Sequence, residues 1–394
     1  MTDNNSNATQ RVVVIGGGYS GTVAANRLRM RPDTDITLVN PRPHFVDRIR
    51  LHQFVAGTGD ASIEYGTLLG AGIRLVVDSA TRIDSVERTV TLASGSVVDY
   101  DHLVYAVGSA AAVPSVPGAA ESACAIAEFE LAQRLRADLE QLGPEAPIVV
   151  VGGGPTGIET AAELAERGRA VTLVCGGTLM PSLSEPGRRY VAKWLSRHGV
   201  TVLEKQRVAE VRPDAVLFAD GAAHPSARTV WTTGFAVPQL AATSGLRTDP
   251  LGRLLTDETL TSIDDDRIVA TGDAAAPSGV PLRMSSQAAG ALGARAADTV
   301  LSHIAGTEAA VIDLALIGTC VSLGRRAGIR QLAHKDDTAM NLYIGGRAGA
   351  RIKEVTCKIG VGKIRREARG PGSLMWPKGG PRPQQPASAR ITSA

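Results

Sequence analysis

The chain has 394 residues, 44% of them hydrophobic, and a formal net charge of +3. That length is long for one core and predicts two or three domains. Four cysteines (Cys124, Cys175, Cys320, Cys357) stand far apart, which excludes a C-x-x-C redox or zinc framework, and no metal site is expected. The opening MTDNNSNATQ has no apolar run, so residues 1–10 read as a disordered N-terminus and not as a signal peptide. No uncharged apolar stretch reaches the roughly 18 residues of a membrane span, and a cytoplasmic protein is expected.

The first predicted element is the apolar, β-branched run Val12 to Ile15, a strand buried on both faces. Gly16, Gly18 and Gly21 follow as G-x-G-x-x-G. The first glycine permits a tight turn, and the second lets backbone approach a pyrophosphate. The third lets the next helix pack closely on the strand. Thr22 to Met30 is that helix, stopped by Pro32, and Ile36 to Val39 is the return strand. This order sets a helix N-terminus against a dinucleotide phosphate. Asn40 holds the position that usually carries Asp or Glu for a ribose, and its amide can still bond a hydroxyl.

After a loop rich in Pro, Arg and His, short strands are predicted at 73–78, 80–84, 88–92 and 97–100, with a hairpin at Ser94-Gly95. Asp101 to Val107 is another buried strand, ended by Gly108. Pro114, Pro117 and Gly118 mark a crossing between domains, and Glu128 to Leu142 has helical apolar spacing.

Ile148 opens a second copy, IVVVGGGPTGIETAAELAERGRAVTLV. It reads as strand 148–151, a turn with Gly152, Gly154 and Gly157, helix 158–167 and strand 170–174. A repeated nucleotide-binding unit is the most informative feature of the chain. One loop is expected to take a flavin dinucleotide, the other a nicotinamide dinucleotide. The second ribose position is Cys175, so no carboxylate there repels a 2′-phosphate, and NADH and NADPH both stay open. Arg188 and Arg189 are the basic pair that could meet such a phosphate.

Short strands at 200–203, 207–212 and 215–219 come next, and TVWTTG at 229–234 ends the inserted part. Arg267 to Ala270 is a strand running into Gly272-Asp273, Ser285 to His303 is a long helix, and 310–330 looks like strand and turn. Residues 325–394 hold fifteen Lys and Arg against four Asp and Glu, a net of +11 that leaves −8 on the first 324. Within them, Ile352, Val355, Ile359 and Ile364 fit one helix face among basic residues. Residues 366–394, rich in Gly, Pro and Ser, read as a disordered basic tail. A basic end suggests an anionic membrane surface. A nucleic-acid partner is not expected, because interleaved aromatics and a recognised module are both missing.

Both glycine loops, AVG at 106–108 and TGD at 271–273 together resemble the two-dinucleotide-binding-domain flavoproteins, which share the fold of the pyridine-nucleotide disulfide reductases. The resemblance covers roughly residues 11–330 and implies an α/β fold with two Rossmann-like dinucleotide-binding domains. It implies an FAD-binding domain of residues 11–115 and 252–305, with an NAD(P)H-binding domain, 116–251, inserted in it. A small C-terminal interface or membrane-contact region, 306–365, would follow. Asp273 would bond the flavin ribityl chain, and the next helix would aim at the isoalloxazine ring.

Disulfide reductases carry C-x-x-x-x-C near the place where this chain reads HFVDRIRLHQF at 44–54, without cysteine. The branch therefore resembles type II NADH:quinone dehydrogenases and apoptosis-inducing-factor-like quinone reductases. GGGPTGIE at 152–159 matches the former and implies that Glu159 is a positioning or proton-managing residue. Gln287 keeps the first of that family's two pocket glutamines, whereas Ala291 holds the second place. His52 falls where the family's chain passes the flavin and would supply a proton to a reduced quinone at neutral pH. The implied activity passes hydride from NAD(P)H to FAD and then two electrons to a quinone or other small acceptor. Two alternatives stand beside it: a sulfide:quinone-type oxidoreductase using Cys124 and Cys320, and a flavin- and NADH-binding redox sensor. A peripheral seat on the inner face of a membrane also follows from the resemblance, and a homodimer is left open.

Overall fold

In the computed structural model, which describes residues 9–380 and 382, the first glycine unit forms the middle of a five-stranded parallel sheet. Its strands run in the order Ile268–Ala270, His102–Tyr105, Gln10–Ile15, Thr34–Asn40, Ile73–Val77. Val12 lies beside Ile36 on one side and His102 on the other, and Ile15 lies between Val39 and Tyr105. Val12, Val13 and Val14 are buried, as a strand covered on both faces requires. Helix Tyr19–Leu28 buries Val23, Ala24, Ala25 and Leu28 on this sheet, and the long helix Ser286–Ala305 packs alongside it. Gly293 makes that approach close, since a Cβ there would stand 2.2 Å from the Ser20 carbonyl oxygen.

The second unit repeats the plan in another five-stranded parallel sheet, in the order Ala123–Ala125, Arg228–Trp231, Ile148–Val151, Val171–Val174, Thr201–Leu203. Helix Pro155–Glu166 follows its glycine turn. Both loop helices start earlier than their apolar periodicity predicts, at Tyr19 instead of Thr22 and at Pro155 instead of Ile158. The glycine turn runs straight into helical backbone, and Pro155 is pre-set for the first helical position.

A three-stranded antiparallel sheet, Thr319–Leu323, Ala327–Ala333 and Ala339–Ile344, comes after the long helix. Helix Gly346–Arg369 lies across it and against Tyr19–Leu28. Its inward face is Gly349, Lys353, Cys357, Val361, Ile364 and Glu367. This corrects the expected apolar face: Ile364 points into the core, while Val355 and Ile359 are 53% and 49% exposed. Two charged residues on the inward face disguised the true periodicity.

The expected disordered tail is corrected as well. The helix continues to Arg369, and the chain beyond it is seated on the body as far as Gly380. Glu367 is fully buried and accepts from the N–H groups of Gly372 and Leu374 at 2.6 Å each. Trp376 Nε1 donates to the Asp313 carbonyl at 2.9 Å, and Gly379 and Gly380 donate to the Asp313 carboxylate at 2.8 Å each. Specific hydrogen bonds fix a segment whose composition has no periodic apolar face. Of residues 1–10, Gln10 already belongs to the first strand; residues 1–8, 381 and 383–394 lie outside the described residues.

Candidate active site

The two glycine turns are built alike. A Cβ on Gly21 would stand 1.8 Å from the Gly16 carbonyl oxygen, and one on Gly157 would stand 1.9 Å from that of Gly152. These are the close helix-to-strand contacts that the third glycine exists to allow. Gly16 and Gly152 have φ of +103° and +127°, in the region that favours glycine. Gly18 and Gly154 instead face open space. The first turn borders a cavity of about 330 Å3, lined also by Asn40, Arg48, Gly108 and Asp273. Open backbone beside a helix N-terminus, with a half-buried arginine and an acid on the walls, is a lining that fits FAD.

Asn40 is already engaged: its Oδ1 accepts from Gly17 N–H at 2.9 Å, and its Nδ2 donates to the Arg42 carbonyl at 2.8 Å. It fixes the glycine loop, helped by the Tyr65 hydroxyl, which donates to the Gly17 carbonyl at 2.6 Å. Asp273 sits on the turn Gly272–Ala274, and its carboxylate accepts from the Ser109 hydroxyl at 2.7 Å. Sequence reasoning passed over both Ser109 and Arg48. Arg48 donates to the carbonyls of Ser109 at 2.8 Å and Ala127 at 3.1 Å, and burial pulls its pKa down. No local pattern marks it.

A second cavity, of about 460 Å3, joins the two units. Tyr19, Arg48, Ser109 and Asp273 border both cavities, and Thr156, Glu159 and Thr232 bring the second glycine turn to this one. Ser285, Ser286 and Gln287 bring the start of the long helix, whose first turn is capped by Ser285 Oγ accepting from Ala288 N–H at 3.2 Å. Gln287 lies among the lining residues.

Glu159, His52 and Lys353 form one buried cluster on that wall, at 6%, 3% and 9% exposure. Glu159 Oε1 lies 2.9 Å from Lys353 Nζ and accepts from Ser322 N–H at 2.9 Å. His52 Nδ1 lies 3.6 Å from Glu159 Oε2, and Nε2 shares a 3.2 Å hydrogen bond with the Ser322 hydroxyl. Burial pushes the Glu159 carboxyl up, yet Lys353, His52 and the Ser322 N–H outweigh it and hold the group below its ordinary value. Burial likewise pulls Lys353 down, and Glu159 outweighs it, so the ammonium keeps its proton. For His52 burial wins and lowers the pKa to about 4. A neutral ring satisfies both contacts, with Nδ1–H toward Glu159 and Nε2 accepting from Ser322. That departs from the expected proton donor: with its pKa lowered by burial, His52 is a neutral ring at neutral pH, set beside Glu159 and Ser322.

Of the two cysteines in the sulfide reading, Cys320 lines the cavity and Cys124 does not. Cys124 lies away from the cavity, its Sγ 3.7 Å from Asp138 Oδ2 and 3.8 Å from Arg228 Nη1. Cys320 and Cys357 both line the cavity, and Arg330 Nη1 stands 3.3 Å from Cys320 Sγ. Burial raises the Cys357 thiol to about 11. Of the basic pair at the nicotinamide unit, Arg188 donates to the Leu183 carbonyl and Arg189 pairs with Glu185. Among the described residues no cluster of His, Cys, Asp or Glu could hold a metal ion, and no helix is long and apolar enough to cross a membrane.

Residues 10–294 match the family described as pyridine nucleotide-disulphide oxidoreductase. The chain is 34% identical over 293 residues to an NADH dehydrogenase-like protein of Mycobacterium tuberculosis, covering 68% of this chain and 73% of that protein. It is 25% identical over 411 aligned positions to the type II NADH:quinone oxidoreductase of Staphylococcus haemolyticus, covering 90% and 99%. Its fold matches the crystal structure of the sulfide:quinone oxidoreductase of Aquifex aeolicus with a TM-score of 0.78 at 21% identity, covering 92% and 93%. Twin glycine turns meeting at one cavity and these likenesses agree: the chain belongs to the pyridine nucleotide-disulphide oxidoreductase family, as an FAD- and NAD(P)H-using oxidoreductase of the NADH dehydrogenase-like kind.

Proposed function

We propose that the protein is an NAD(P)H:quinone oxidoreductase that works without a redox-active disulfide. The observation that carries this reading is the cavity of about 460 Å3 lined by Tyr19 and Thr156 from the two glycine-turn helices, by the start of the long helix and by the buried Lys353–Glu159 pair. The stretch 44–54 has no cysteine to relay electrons, which supports an acceptor that enters this space. FAD, when bound, supplies two-electron carriage from the nicotinamide to the acceptor. The protein's part is electrostatic. Lys353 Nζ presents an N–H hydrogen bond and positive charge to an oxygen that gains charge on reduction, and Glu159 keeps that ammonium charged and aimed. The Gln287 amide can donate to a quinone carbonyl. His52 and Ser322 hold the Glu159 carboxylate in place.

The test is anaerobic. Stoichiometric NADH or NADPH should bleach the flavin band, and a water-soluble ubiquinone or menaquinone analogue should restore it over many cycles. A single reduction without turnover would favour the redox sensor instead, and bleaching by sulfide alone would overturn the nicotinamide reading. We also propose a peripheral seat on an anionic bilayer, supported by the +11 charge of residues 325–394 and the exposed Leu342, Val355 and Ile359. Vesicles containing phosphatidylglycerol should then bind the protein at low salt, and neutral vesicles should not.

A further inference from the structure

We infer that Glu204 makes the second dinucleotide site selective for NADH over NADPH. The inference rests on the second glycine turn being the nicotinamide site and not on the identity of the acceptor. The strand after that turn's helix ends at Val174, and the following residue, Cys175, replaces the acid that normally takes the ribose hydroxyls. Its side chain packs on the middle of the glycine turn, where a Cβ on Gly153 would stand 2.8 Å from the Cys175 Cβ and 2.9 Å from its Sγ. The loop beyond Cys175 is tied back to the same turn, with Met180 N–H donating to the Gly153 carbonyl at 2.8 Å. Residues 175–180 therefore form the far wall of the adenosine ribose position.

A carboxylate reaches this wall from the neighbouring strand, Thr201–Leu203. Cys175 N–H donates to the Leu203 carbonyl at 2.9 Å, which sets the next residue, Glu204, beside the loop. Glu204 Oε1 accepts from Leu179 N–H at 2.6 Å, so the carboxylate is pinned to the loop by its backbone. The Cys175 thiol feels it: burial first and Glu204 second raise that thiol to about 11. The second carboxylate oxygen can accept a ribose 2′-hydroxyl, while a 2′-phosphate would meet fixed negative charge.

The nearby cations do not cancel this. Arg188 and Arg189 are occupied by the Leu183 carbonyl and Glu185. Lys205 touches the loop through its own N–H, which donates to the Gly177 carbonyl at 3.1 Å, and its ammonium and the Arg207 guanidinium ride on exposed stems. Glu204 is exposed as they are, and what sets it apart is the Leu179 N–H that fixes its carboxylate beside the loop. The missing acid has moved from the end of one strand to the end of the next.

The experiment uses the FAD-loaded full chain in a stopped-flow instrument under nitrogen. NADH is expected to bleach the flavin with a second-order efficiency on the order of tenfold above that of NADPH, and raising salt should narrow the gap. E204Q should bring the two nucleotides close to parity, and E204K should invert the preference. A second measurement needs no variant: adenosine 2′,5′-bisphosphate should compete with NADH more weakly than ADP. Equal bleaching by both nucleotides in the native protein, or an unchanged ratio in E204Q, would overturn the inference and leave the site assignment standing. Bleaching by neither nucleotide would remove the site itself, and the inference with it.

Discussion

Lys353 Nζ and Glu159 Oε1 stand 2.9 Å apart, joined across 194 positions of sequence and almost sealed from water. A buried pair of this kind is worth little against an apolar replacement, but breaking one half of it is costly. K353M should destabilise the protein by about 3 kcal/mol, because Glu159 is left buried without its cation. E159Q alone should cost about as much, and the double variant should recover most of the loss. Chemical denaturation of the four proteins checks this, and strictly additive losses would refute the coupling. In stopped flow, K353M should slow reoxidation of the flavin by quinone by about a hundredfold, with a smaller effect on its reduction by NADH.

Two buried groups should tilt the pH–stability curve in opposite directions. His52, lowered by burial to about 4, is neutral in the folded chain while the unfolded chain binds a proton below about 6.5. Stability therefore falls as pH drops through that window. Glu163 is fully buried beside Arg325, and burial raises it to about 7 from 4.5. The folded chain then keeps a proton that the unfolded one has lost, so this contribution falls as pH rises through that window. Melting curves at about pH 5 and about pH 7 should show H52Q favoured at the acid end and E163Q at the neutral end, by about 1.4 kcal/mol per pH unit at most.

The glycine turns allow the two nucleotides to be separated. G157A pushes a methyl group toward the Gly152 carbonyl and should weaken NADH binding at least tenfold on the order-of-magnitude scale of overpacking, with the protein still yellow. G21A makes the matching intrusion on Gly16 and should purify with little or no FAD. Absorbance ratios and NADH titrations check both. Loss of FAD in G157A with retention in G21A would exchange the two assignments.

The chain after the last helix should matter for stability. Glu367 is fully buried and bonded by Arg27, Gly372, Ser373 and Leu374. Ending the chain after Arg369 leaves that carboxylate with Arg27 alone and removes Trp376, which Arg27, Arg295 and Lys378 surround. A fall of about 5 °C in the melting midpoint is expected, measured by differential scanning calorimetry. An unchanged midpoint would mean that the segment carries no load.

The fold was legible wherever its signal was local. Each glycine turn, with its strand and helix, lies within thirty residues, and apolar β-branched runs such as Ile148 to Val151 need no distant partner to be read. Glu159 stands out by its offset from the second glycine turn, whereas Asp273 and Gln287 stand out only through the resemblance of TGD and the helix after it to a known family. Arg48 and Lys353 were not, because an isolated basic residue looks solvated until tertiary structure buries it. His52 was found, but its protonation was not legible, since burial, which only the tertiary structure supplies, lowers its pKa to about 4. Gly370 to Gly380 looked disordered because it is fixed by polar contacts to Asp313 and Glu367, and such contacts leave no period in the sequence.

The strand order of the first sheet has a consequence for biosynthesis. Ile268–Ala270 closes that sheet by pairing with His102–Tyr105, and the whole second sheet lies between them in the chain. On a ribosome, which delivers the N-terminus first, the second sheet can close while the first still waits with a bare strand edge. The half of the protein made first is thus the half completed last. A fragment ending near residue 115 would carry the first glycine turn on an unfinished sheet.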